Sequence, residues 1–158
     1  MAVEYLSNIG VQIAMSETGV TPLKKDLLMH VVDAQPAKLS EEVISKTIIT
    51  DPNGYKHKVG GIKDCGDIVM TMVLGEKAEY DRVWAKAKSL GSDESHYFDL
   101  TFIYPDNSEF DGCMDKTYHG FISSFEPTKI DGTDIQGYSI VFSCSGAPKE
   151  YTGGRITA

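Results

Sequence analysis

Alternating apolar positions dominate the second half of the chain. From Asp67 to Leu74, Ile68, Met70, Met72 and Leu74 share one parity, and Val69, Thr71 and Val73 the other. A period of two predicts a β-strand, because successive side chains of an extended backbone point to opposite sides. Both faces are rather apolar, so the second is expected to meet another surface. His96 to Tyr104 reads the same way, with Phe98, Leu100 and Phe102 inward and Asp99 and Thr101 outward, before Pro105-Asp106-Asn107-Ser108 turns the chain. A further strand is predicted from Lys116 to Phe125, and Asp131-Gly132 marks the next reversal. In the last strand Tyr138, Ile140, Phe142 and Cys144 occupy one parity, and Ser139, Val141, Ser143 and Ser145 the other. That second face is small and uncharged, which suits close approach or a wall facing water.

One segment changes period. Tyr80, Val83, Trp84 and Ala87 follow the i, i+3, i+4, i+7 spacing of a single apolar stripe and predict a helix over 76–90, anchored on a sheet by these four residues. Gly91 is placed to end it in the left-handed conformation. Glu76, Lys77, Glu79, Arg82, Lys86 and Lys88 lie largely off the stripe.

The first half is less regular. Asn8 to Met15 and Leu27 to Asp33 read as strands, separated by the loop Thr18-Gly19-Val20-Thr21-Pro22. Two extended arms, 43–50 and 55–59, flank Asp51-Pro52-Asn53-Gly54, where Pro presets one dihedral and Gly accepts a positive φ. Alternation in the arms is broken by the adjacent Ile48 and Ile49 and by several lysines, so this hairpin (42–60) is expected to project from the core. Gly60-Gly61 and Gly66 read as flanking a bend.

The sum is a mainly β chain with one flanking α-helix, either two packed antiparallel sheets or a partly closed β-barrel. Its 158 residues suit one domain, taken as 1–150, with 151–158 as a flexible tail after Gly153-Gly154.

Charge adds a local feature. Residues 1–90 carry twelve acids and eleven bases, and 137–158 one acid and two bases, whereas 91–136 carry ten acids against Lys116 and Lys129. That segment accounts for the net charge of −8 and argues against a phosphate-binding patch there. No run of apolar residues exceeds three, far short of the ~20 a membrane-crossing helix needs, and cytoplasmic synthesis is expected.

Chemistry is hard to find. Cys65, Cys113 and Cys144 form no CxxC pair, and His30, His57, His96 and His119 have no i, i+4 partner, so neither a zinc site nor an intramolecular disulfide is expected. Cys144 falls on the bulky parity of its strand, as a core thiol would. Asn107, Glu109, Asp111 and Gly112 space like the start of a calcium loop, but Tyr118 stands where the bidentate carboxylate belongs. Nucleophile-elbow, P-loop and dinucleotide-binding motifs are absent. No catalytic, cofactor or metal residue is assigned.

The order of the pieces carries a resemblance over about 60–148. A Gly66-Asp67-opened apolar strand is followed by a helix with a buried aromatic, here Trp84, then by Phe102-Ile103-Tyr104-Pro105-Asp106-Asn107, Gly120-Phe121-Ile122-Ser123-Ser124 and Gly146-Ala147-Pro148. In that order the chain resembles the major tail tube proteins of lambda-like, long non-contractile-tailed phages. The resemblance implies a virion protein assembled in the bacterial cytoplasm, with hexameric rings stacked into a tube for genome delivery. Implied partners are other copies, the tape measure, tail tip and tail terminator proteins, and double-stranded DNA passing without specific binding; no membrane is involved. Val43, Ile44, Lys46, Ile48, Ile49, Tyr55, Lys56 and Lys58 then become candidates for an inter-subunit arm. Asp106, Glu109 and Asp111 become candidates for an acidic lumen. Two alternatives stand beside this reading: a tube component of a contractile or type VI secretion apparatus, and a small cytoplasmic ligand-binding or Cys/His-dependent β-domain.

Overall fold

The computed structural model describes residues 10–47, 50, 52, 54, 56–87, 96–105 and 112–157. In chain order the elements are β1 (Gln12–Ser16), a 3-10 turn (Lys24–Asp26), β2 (Val31–Gln35), β3 (Leu39–Thr47), β4 (Lys56–Cys65), β5 (Ile68–Val73), α1 (Lys77–Ala87), β6 (Phe98–Ile103), β7 (Lys116–Pro127), β8 (Gly137–Cys144) and β9 (Lys149–Glu150).

Seven strands form one curled, half-barrel sheet in the order β1-β6-β7-β8-β5-β2, with β9 paired to the first residues of β7. Strands β3 and β4 form a separate two-stranded sheet. The fold is therefore mainly β with one flanking helix, and of the two arrangements expected it is the partly closed barrel. The curl has a local cause. The Leu28 N–H donates to the carbonyl of Ile13 on β1 (2.8 Å) and Leu27 bridges Ala14, yet a few residues later β2 pairs with β5 at the far end of the sheet. One segment thus touches both outer strands and draws them towards each other.

The parity read from the sequence is the parity of burial in β5 and β8, but β6 is buried on both faces, with Thr101 and Ile103 covered as well, and Leu74 is exposed. Ile68, Met70 and Met72 of β5, Phe98, Leu100 and Phe102 of β6, and Tyr138, Ile140 and Phe142 of β8 line the core together with Ile13, Met15 and Ile122. Helix α1 lies against β7 and adds Val83 and Ala87 to that core, with Tyr80 packed at its margin. Trp84 does not go in: it is 41% exposed and meets the edge of Phe125 at 5.1 Å. Residues 83 and 84 are about 100° apart around a helix, and the packing selects Val83. The polar Glu79 is buried in its place, only 3% exposed.

Three expectations from the sequence are corrected. Strand β2 starts at Val31, because Leu27 and Leu28 serve the β1 edge instead. The hairpin strands span Leu39–Thr47 and Lys56–Cys65, so Gly60 and Gly61 lie inside β4 rather than at a bend. The C-terminal segment is docked. Ile156 is buried with Ala14, Leu27 and Ile103 on the outer face of the sheet, and Tyr151 packs beside them. The Ile156 N–H donates to Gln12 Oε1 (2.8 Å), Gln12 Nε2 donates to the Ile156 carbonyl (2.9 Å), and Arg155 Nη2 donates to the Gly10 carbonyl (2.7 Å). Residues 8–9, the helix end at 88–90 and Gly91 lie outside the described residues.

Candidate assembly surfaces

Among the described residues the β3–β4 hairpin is a sheet of two strands. Its strands pair from Leu39 opposite Cys65 to Thr47 opposite Lys56, with a bulge between Glu41 and Val43. At Gly60 the Glu41 side chain crosses over the space a Cβ would fill, a contact its flexible carboxylate end can give up. Val43 (64% exposed), Ile44, Val59 and Ile62 (76% exposed) remain in solvent, as do Lys56 and Lys58. Lys46 stands opposite His57 in the ladder. Of the arm residues singled out above, Ile48, Ile49 and Tyr55 lie outside the described residues. Among the described residues the hairpin thus combines exposed apolar and basic side chains, which is the composition of a contact surface.

The outer face of the half-barrel has a different character. Val69, Thr71 and Val73 of β5 lie beside Ser139, Val141 and Ser143 of β8, all at least partly exposed. Its hydroxyls satisfy one another: Thr71 Oγ1 and Ser139 Oγ are 3.3 Å apart, Ser143 donates to Ser123 Oγ (2.8 Å), and Ser123 donates to the Val141 carbonyl (3.2 Å). Further along β6 and β7, His119 Nδ1 lies 2.9 Å from Asp99 and its ring stacks on Tyr97 at 5.5 Å. The candidate acidic residues Asp106, Glu109 and Asp111 lie outside the described residues.

Concave regions open beside β1 and β2 and beside α1. A cleft of about 810 Å³ opens where β1 and β2 diverge, lined by Val11, Gln12, Leu28, Val31, Val32 and Ala34 among others. A groove of about 530 Å³ beside the start of α1 is lined by Leu74, Tyr80, Phe125, Pro127 and Tyr138. In it Phe125 and Tyr138 stack at 5.2 Å, and Tyr80 meets both edge-on. Burial, followed by the nearby Glu79 and Tyr80 and offset by Arg82, pushes the Tyr138 phenol up to about 12.

One pair of chemistry-bearing side chains, Glu79 and His30, ties two elements together. Glu79 accepts the backbone N–H groups of Met29 and His30 and sits 2.8 Å from His30 Nδ1. Together with Glu76 these residues bring one potential metal-ligand atom each within 4.8 Å, a grouping the sequence spacing concealed because the histidine lies far from the helix in the chain. With Nδ1 and the carboxylate already engaged, the arrangement fastens α1 to the connection before β2. His96 is buried against Tyr97 and Phe121, and among the described residues neither ring nitrogen has a hydrogen-bond partner. Cys65 and Cys144 are half-buried, and Cys113 is exposed.

No protein-family model and no curated protein matches the sequence. Solved structures do resemble the fold. A chain from the tail of an empty gene transfer agent particle, refined with C6 symmetry, is 14% identical with a TM-score of 0.65, the match covering 90% of this chain and 96% of that one. A chain from the sheath-tube complex of an extracellular contractile injection system, in the extended state, is 14% identical with a TM-score of 0.63, covering 93% of each. A chain from the tube-terminating cap of the anti-feeding prophage is 13% identical with a TM-score of 0.65, covering 96% of this chain and 95% of that one. The chain therefore has a tail-tube-like fold over nearly its whole length.

Proposed function

We propose that this chain is a structural virion protein whose copies form stacked hexameric rings, building a phage tail tube that conducts the genome into the host. The observation that supports this reading most is the agreement, across 90% of the chain, with a subunit of a six-fold symmetric tail. The exposed apolar and basic side chains of the β3–β4 hairpin support it independently. In this reading the chain is one domain without catalytic residues. Its hairpin docks on a neighbouring subunit or ring, and its partners are its own copies and the tape measure, tip and terminator proteins. If Asp106, Glu109 and Asp111 face the lumen, like charge keeps DNA off the wall, an effect screened beyond about 10 Å at 0.1 M salt. A second reading, a tube component of a contractile apparatus, is favoured by the likeness to injection-system chains.

Electron microscopy of concentrated purified protein tests the proposal: rings or tubes support it, and a particle that stays monomeric at every concentration overturns it. Deleting residues 45–57 should leave folded protein that does not polymerise; normal tubes from that deletion would remove the role given to the hairpin. Charge reversal at Asp106, Glu109 and Asp111 should leave tubes intact and slow DNA release, and unchanged release would count against the lumen assignment.

A further inference from the structure

The ends of β4 and β8 bring two of the three cysteines together. Strand β5 runs antiparallel to β8 with Ile68 opposite Phe142. Continuing that register by two residues sets Gly66 across from Cys144, with Cys65 adjoining. Three further observations agree. Both side chains pack against the main core, and both line one cavity of about 640 Å³ with Leu39, Lys63, Lys116 and Pro148. The Cys65 side chain lies close enough to perturb the Cys144 thiol. The buried phenol of Tyr118 lies close enough to feel both sulfurs.

We propose that Cys65 and Cys144 are an oxidation site, a reduced thiol pair that closes to an intramolecular disulfide when the protein meets a disulfide oxidant. The bond would join the base of the projecting β3–β4 sheet to the end of a central strand of the half-barrel, two elements that belong to different sheets. Burial, then the Cys65 thiol and the carboxylates of Asp67 and Asp64, raise the Cys144 thiol above its ordinary range. The Cys65 thiolate attacks a small disulfide such as oxidised glutathione and displaces one glutathione thiolate. Cys144, deprotonated in the second exchange, attacks the Cys65 sulfur of the mixed disulfide and releases the second glutathione. Two protein thiols lose two electrons and two protons, and one glutathione disulfide becomes two glutathione thiols. A reducing cytoplasm holds the pair open, whereas an oxidising exterior closes it.

The inference is independent of the tube reading and is tested on the full purified chain. Incubation with oxidised glutathione at mildly alkaline pH should lower the free thiols from three to one per chain. The intact mass should fall by two hydrogens, and a non-reducing peptide map should link the Cys65 and Cys144 peptides. Cys113→Ser should leave that link in place, while Cys65→Ala and Cys144→Ala should each abolish it. The oxidised chain should unfold several degrees higher than the reduced one, because the bond closes a long loop. Glutathione adducts without an internal link, or disulfide-linked dimers through Cys113, would overturn the proposal. The Cys113→Ser variant keeps the question answerable if either alanine variant fails to fold.

Discussion

The carboxylate of Glu79 on α1 sits 2.8 Å from Nδ1 of His30 while also accepting the N–H groups of Met29 (3.2 Å) and His30 (3.3 Å). One buried side chain therefore fastens the helix to the segment that draws the two outer strands together. Glu79→Ala leaves both backbone donors without their acceptor and should cost roughly 1–3 kcal/mol, with Glu79→Gln, which keeps one oxygen, losing less. Chemical denaturation of the two variants measures this. An alanine variant as stable as the parent would show that water replaces the carboxylate without loss.

Glycine at 120 is fixed by the neighbouring strand. A Cβ there would lie 2.0 Å from the Ser143 carbonyl oxygen, part of the β8 backbone, which cannot step aside as a flexible side chain could. Gly120→Ala should therefore destabilise by about 1–3 kcal/mol or more. Gly132→Ala, with nothing within 4 Å of its Cβ, should stay within about 0.5 kcal/mol of the parent. Similar unfolding midpoints for the two would contradict the close approach of β7 and β8.

The C-terminal segment should behave as part of the folded body. Ile156→Ala uncovers Ala14, Leu27 and Ile103 and should cost about 2 kcal/mol, the low end for an Ile truncation because the cluster is small. Truncation after Glu150 should cost more, since it also removes the Gln12 and Arg155 hydrogen bonds. Thermal unfolding of both checks the order.

Alkaline pH should unfold the chain through its buried phenols. Tyr118 is pushed up to about 12 by burial, with Cys65, Tyr104 and Cys144 adding to it, and Tyr138 is raised to about the same value. Tyr104 is raised by burial and then by Asp115, as is Tyr151. Unfolded, each ionises near 10, so between 10 and about 12 the unfolded state holds fewer protons than the folded one. The stability these groups contribute is complete below pH 10 and is lost as pH rises through the window. Phenolate absorbance should rise late and together with loss of structure; tyrosines titrating smoothly near 10 in folded protein would refute the assignment.

What the sequence disclosed follows from how local each signal is. Alternation in β5 and β8 named their core residues because a strand buried on one face writes its burial into every second residue, whereas β6 buries Thr101 and Ile103 as well as Leu100 and Phe102, so its expected outward face was misread. The stripe on α1 gave Val83 and Ala87 but not the choice of Val83 over Trp84, which depends on what β7 presents to the helix. Glu79 looked like surface because its partners, Met29 and His30, are about fifty residues away. Ile156 looked like tail because Gln12, which holds it, is 144 residues distant. Gly60 suggested a bend because its pairing partner, on β3, lies far away in the chain. The Cys65–Cys144 pair was invisible for the same reason, since only the β5–β8 register brings the two together.

A ribbon of two strands with little core of its own is marginal in water. The β3–β4 sheet is such a ribbon, and the free energy needed to hold it straight is supplied when something else covers its valines and isoleucines. If that cover is another copy of the chain, the first few copies to meet carry the ordering cost with few contacts to offset it, and later arrivals find a finished template. Growth would then show a lag that pre-formed seeds abolish, leaving a cell free to accumulate subunits until an initiating complex is present.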